Sequence, residues 1–175
     1  MALLPRDASA PNVRFSEKAG DDGKGQPATT AWLKAYLPVV IWMAVIFIVS
    51  TEIGSTRNTS RIIGPILRWF KPDVSAETVK VVETVVRKTG HLSEYAVLAL
   101  LVRRGRRISR GGRGWIWREF WIAIACAAAY ACTDEFHQLF VSSRQASIFD
   151  VMIDTCGAAA GLLLLRWFGR RRQWW

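Results

Sequence analysis

Residues 33–50 read LKAYLPVVIWMAVIFIVS, a run whose one charge, Lys34, sits at its start. A helix of about 20 apolar residues crosses the hydrocarbon core of a bilayer, so this stretch reads as a first transmembrane span. Pro38 is compatible with that reading, because neighbouring helices satisfy the carbonyl a proline leaves open. Upstream, residues 1–31 are polar and rich in Ala, Pro, Gly and Asp, without periodicity. They read as a disordered cytoplasmic tail. The tail lacks the apolar core of a cleaved signal peptide, so the first span is expected to stay in the mature protein.

Downstream, residues 51–76 are mixed in character and read as loop. From Glu77 the pattern changes: Val79, Val82 and Val86 recur at helical spacing, as do Val81 and Val85, with Lys80, Glu83, Arg87 and Lys88 between them. This is an amphipathic helix or a helical extension leading into a second span, His91 to Val102. Gly90 leaves a continuous helix and a break equally open. Phe120 to Leu139 forms a third span around WIAIACAAAYAC, and Ile148 to Phe168 a fourth around TCGAAAGLLLL. The expected fold is all-α, a four-helix transmembrane bundle over residues 32–170 with the additional amphipathic helix or extension before the second span.

Apolar residues make up 51% of the chain and charged ones 22%, and the net charge is +10. The excess charge flanks the apolar spans, where membrane topology accounts for it, so nucleic acid is excluded as a partner. The three cysteines, Cys126, Cys132 and Cys156, all lie in apolar windows without a CxxC. They read as small packing residues. Residues 103–118 hold seven arginines, and Arg166, Arg170, Arg171 and Arg172 close the last span ahead of Trp174 and Trp175. Short cytoplasmic loops carry excess Lys and Arg, and tryptophans sit at the interface. The 103–118 loop and both termini are therefore placed inside, and the 140–147 loop outside. The seven basic residues of loop 51–88 oppose this order, but that loop is longer and partly balanced by acids.

Ionisable groups inside a span cost roughly 2.5–3.5 kcal/mol each at its centre. Here His91, Glu94, Asp134, Glu135, His137, Asp150 and Asp154 all fall in or beside spans. At 100° per residue, Lys88, His91, Tyr95 and Leu98 form one stripe, with Glu94 at its edge. Asp134 and Gln138 are i,i+4 partners. Asp150, Asp154, Gly157 and Gly161 share another stripe, and the two glycines form a small-xxx-small pattern that lets a helix backbone approach closely. With the orientation above, three spans bring their polar groups to the outer half of the membrane.

The motifs Lys88-x-x-His91-x-x-x-Tyr95-x-x-Leu98, Asp134-Glu135-x-x-Gln138, Arg144-x-x-Ser147-x-x-Asp150 and Gly157-x-x-x-Gly161 resemble those of the VanZ-like family of small bacterial membrane proteins. Two departures stand out: Asp154 replaces a usual asparagine, and Ser142-Ser143 precede Arg144 in place of a common Pro-Gly. The resemblance implies a multi-pass protein of the cytoplasmic (inner) membrane with a role in the cell envelope. The family is linked to teicoplanin tolerance.

The candidate ligand-binding residues are Lys88, His91, Glu94, Tyr95, Asp134, Glu135, Gln138, Arg144, Asp150 and Asp154. Arg144 suits a phosphate or carboxylate, or else anchors its loop by pairing with Asp150 or Glu135. The Tyr95 hydroxyl is expected to satisfy a carboxylate. His91 and Glu94 have the spacing of two ligands on one helix face, but no recognised metal motif accompanies them; no metal or cofactor is assigned. Asp134, Glu135 and His91 are the candidates for acid–base catalysis, although GxSxG and HExxH are absent. Two classes stay open: a protein that binds or shields an envelope component, and a hydrolase or transferase acting on a lipid-linked headgroup. The expected partners are membrane lipids and a lipid-linked envelope component, and a homo-oligomer is left open.

Overall fold

The computed structural model describes residues 28–51, 56–112, 114–140 and 146–174. Among them the chain is all-helical: α1 (Ala28–Ser50), α2 (Thr56–Phe70), α3 (Ala76–Arg110), α4 (Trp117–Gln138) and α5 (Ile148–Arg171). Helix α1 begins inside the stretch read as tail; residues 1–27 lie outside the described residues.

Residues 51–76 are not simply loop, because α2 forms there despite Gly64-Pro65. Its backbone packs on α3, where a Cβ on Gly64 would stand 3.9 Å from Val79. The question at Gly90 is also resolved. Helix α3 runs unbroken through it for 35 residues, or about 52 Å at 1.5 Å per residue. Ser75 caps its start by accepting from Thr78 N–H, and Gly111 ends it in the left-handed region at φ 65°.

Helix α3 is the hub, packing against each of the other helices. Its longest seam is with α5, and small residues make that seam close. A Cβ on Gly157 would overlap the carbonyl of Leu92, and one on Gly161 would stand 2.9 Å from Ala96 Cβ. At the opposite end of α3, a Cβ on Gly105 would stand 2.8 Å from the Ala35 carbonyl of α1. Helix α4 buries a stripe of Ala123, Ala127 and Ala131 at i,i+4 spacing, each fully buried. Tyr130 Oη on the same helix donates to the Met43 carbonyl of α1 at 2.6 Å.

Contacts fix the helix directions. The end of α1 meets the end of α4 through Ser50 and Asp134, and the first half of α3 meets the start of α5 through Lys88 and Asp150. Thus α1, α3, α4 and α5 alternate in direction. One end of the bundle gathers Asp134, Glu135, Asp150 and Asp154; the other carries the arginines of the last part of α3 and of the last part of α5. The three cysteines are free and exposed on the outside of the bundle, which corrects their reading as packing residues.

By length and composition, α1 and α5 are apolar enough to cross a membrane. Helix α4 carries Arg118, Glu119, Asp134 and Glu135, and the low-charge part of α3 is short; neither meets that measure unaided. Large apolar side chains are exposed all along α1, including Leu37, Ile41, Phe47 and Ile48, and on α5, including Met152, Leu163, Leu164 and Trp167.

Candidate functional site

Four helices deliver side chains to the acidic end. Helix α4 contributes through periodicity: its buried alanine stripe continues into Asp134, Glu135 and Gln138, which are 3%, 7% and 3% exposed. The i,i+4 spacing lets Gln138 Nε2 donate to Asp134 Oδ2 at 3.2 Å. Ser50, the last residue of α1, donates to the same oxygen at 2.6 Å and is fully buried. Through that one oxygen Asp134 ties α1 to α4.

Helix α5 begins at the same level. Ser147 caps it by accepting from Phe149 N–H, and its own N–H donates to Glu135 Oε2 at 2.8 Å. Glu135 therefore holds the start of the next helix, the end where a negative charge is favoured. Two turns on, Asp154 is buried at 1% exposure and lies within Coulombic reach of Glu135, Asp134, Asp150 and Glu94.

Helix α3 supplies the remaining wall. Tyr95 is fully buried, and its hydroxyl feels Asp134, Asp154 and Glu94. It makes no hydrogen bond among the described residues, nor do Asp134 Oδ1 and Asp154 Oδ1. The expectation that Tyr95 satisfies a carboxylate is therefore corrected: the groups are neighbours without a bond between them. A buried polar atom left unpaired costs about 1–3 kcal/mol, and here three gather in one place. At the rim, Lys88 Nζ pairs with Asp150 Oδ1 at 3.0 Å. His91 Nδ1 stands 3.8 Å from Glu94 Oε2. The Glu94 carbonyl accepts from Trp42 Nε1 of α1 at 2.9 Å.

Two residues fall elsewhere. His137 lies against Phe47 of α1, with ring centroids 4.4 Å apart. Arg144 lies outside the described residues. Ser50 escaped the sequence reading, since a lone hydroxyl at the end of an apolar run has no periodic signal. Its position at the terminus of a span on the acidic side was the clue available. Among the described residues, no three His, Cys, Asp or Glu side chains are placed to hold a metal ion. A cavity of about 240 Å³ lined by Glu135, Ser147, Ile148 and Val151 abuts the cluster at the bundle surface.

The residues so arranged lie in a segment that matches a known family, VanZ/LLP1, over residues 35–169. The chain belongs to the VanZ/LLP1 family. No curated protein and no solved structure matches it. The family match spans α1 to α5, so it takes in all the described residues of the acidic cluster. It also spans α2.

Proposed function

We propose that this VanZ/LLP1 protein crosses the cytoplasmic membrane four times, through α1, the second half of α3, α4 and α5, with both termini inside. The alternating helix directions support four crossings. The exposed apolar side chains of α1 and α5 suit contact with lipid. Among the described residues, the arginines at the end of α3 and at the end of α5 share one end of the bundle, which the positive-inside rule assigns to the cytoplasm. The acidic end is then the outer one.

The acidic cluster is the binding site for a cell-envelope component, which the protein holds or shields from the outer side. The observation that carries this reading is the Asp134, Tyr95 and Asp154 group, whose buried polar atoms Oδ1, Oη and Oδ1 lack a partner among the described residues. Intramembrane ionisable residues that face a bundle interior mark functional sites by default. Acids outnumber bases in the described cluster, so it favours ligands rich in amino or hydroxyl groups over phosphates. An apolar groove of about 430 Å³, lined by Tyr36, Met43, Leu98, Cys126, Tyr130 and Thr133 among others, runs between α1, α3 and α4. It suits the hydrocarbon tail of a lipid-linked ligand.

The same atoms favour a second reading as a membrane enzyme acting on a lipid-linked headgroup. Neighbouring carboxylates in one site can divide acid and base roles, and Asp134, Glu135 and His91 are the residues to carry them. Purified protein in nanodiscs with lipid-linked envelope precursors separates the two. Saturable binding without turnover, lost in Asp134→Ala, supports the binding protein. Turnover by wild type that Asp134→Ala abolishes supports the enzyme. Asp134→Ala and Asp150→Ala should impair an envelope phenotype while the protein still inserts. Failure of both variants to accumulate would make these residues structural instead.

A further inference from the structure

The arginine end of the bundle holds a second cavity that the acidic site does not use. It measures about 450 Å³ and is lined by Leu100, Arg103, Arg104, Arg107, Leu165 and Trp174. Arg103 is 2% exposed. Its guanidinium lies 4.4 Å from the Trp115 ring centroid and donates to the Gly114 carbonyl at 3.4 Å. Arg104 donates to the Lys34 carbonyl of α1 at 3.3 Å, so both side chains are held beside the cavity. Arg166 of α5 stacks over Trp117 at 4.5 Å. The acid at this end, Glu119, is engaged by Arg110 at 3.1 Å.

Trp174 reaches the cavity because the chain turns back after α5. Gln173 takes a positive φ of 52°. Its N–H donates to the Arg170 carbonyl at 3.3 Å, and Trp174 N–H to the Gly169 carbonyl at 2.9 Å. This bond pair is a Schellman turn, formed here with a side chain in a conformation usually left to glycine.

We infer that this cavity binds the phosphate headgroup of an anionic phospholipid of the inner leaflet. Arg104 and Arg107 engage the phosphate, Trp174 sits beside it, and the acyl chains leave along Leu100 and Leu165. Guanidinium forks match phosphate oxygens, and tryptophan rings settle at headgroup depth. Basic pockets between helices on the cytoplasmic side suit such headgroups. The leucine wall favours a lipid over a phosphate ion. The inference rests on the membrane reading given above.

Native mass spectrometry of the full chain in neutral detergent tests it, with dioleoylphosphatidylglycerol, dioleoylphosphatidylcholine and inorganic phosphate added in separate arms. The phosphatidylglycerol should bind roughly tenfold more tightly than the phosphatidylcholine, and inorganic phosphate should not bind. The double variant Arg104→Gln/Arg107→Gln should lose that preference, and Trp174→Ala should weaken it. The double variant Arg118→Gln/Arg170→Gln removes equal charge outside the cavity and should keep it. Equal losses in both double variants, no preference between the lipids, or inorganic phosphate bound at these arginines would overturn the site. Absence of the wild-type chain from the membrane fraction would overturn the membrane reading as well, whereas a membrane-resident chain without the lipid preference overturns the site alone.

Discussion

Asp134 joins two helices through one oxygen, and this sets an order among hydrogen bonds that can be measured. The Ser50 bond serves a carboxylate, while the Tyr130 bond serves a neutral carbonyl. Removing a bond to a charged group costs roughly 1.5–3 kcal/mol, against about 0.5–1.5 kcal/mol for a neutral one. Ser50→Ala should therefore lower thermal stability in detergent more than Tyr130→Phe does, and the reverse order would show that the Ser50–Asp134 bond is not the stronger tie of α1 to α4. Glycines give a second residue-level contrast. Nothing lies within 4 Å of a Cβ placed on Gly90, whereas one on Gly157 runs into the Leu92 backbone. Gly90→Ala should be neutral or stabilise by up to about 1 kcal/mol through helix propensity, while Gly157→Ala should prevent α3 and α5 from closing and abolish accumulation. Helical spacing made the Asp134–Gln138 pair and the Gly157–Gly161 seam readable in advance, because periodicity alone dictates which side chains share a face. Ser50 and the unbonded Tyr95 hydroxyl were not readable, because each depends on how separate helices meet.

Among the elements, α3 is decisive, since it packs against each of the other four helices. Continuity through Gly90 makes the register of Lys88 and the register of Tyr95 a single quantity. One alanine inserted between Thr89 and Gly90 should rotate one half of α3 against the other by about 100°. Either the Lys88–Asp150 pair or the Leu92–Gly157 contact must then fail. The expected result is a sharp loss of accumulation and of thermal stability; normal stability would mean that the two halves move independently. Lys88→Met alone should cost less than about 1 kcal/mol, because the pair is partly exposed. Helix α2 shows where pattern reading stops. Gly64-Pro65 signals a turn, yet the segment closes as a helix against α3. It leaves Ile62, Ile66 and Trp69 exposed at helical spacing, as an interfacial helix would.

For the whole molecule, the all-helical character of the described residues and the places of α1, α4 and α5 follow from the long low-charge stretches of the sequence, although α1 starts at Ala28, ahead of the expected Leu33. The four crossings proposed above are harder to read there, because α3 and α4 carry charges of the acidic cluster. A span whose polar groups face the interior of a bundle looks too polar when read alone. Orientation ties these threads together, since the binding proposal needs the acidic end on the outer surface. The direct measurement is cysteine labelling in intact cells, with Cys126, Cys132 and Cys156 first replaced by alanine. Phe140→Cys at the acidic end should react with a membrane-impermeant maleimide without permeabilisation. Ser109→Cys at the arginine end should react only once the cells are opened. Labelling of Ser109→Cys in intact cells, with Phe140→Cys protected, would turn the acidic site toward the cytoplasm and contradict the account.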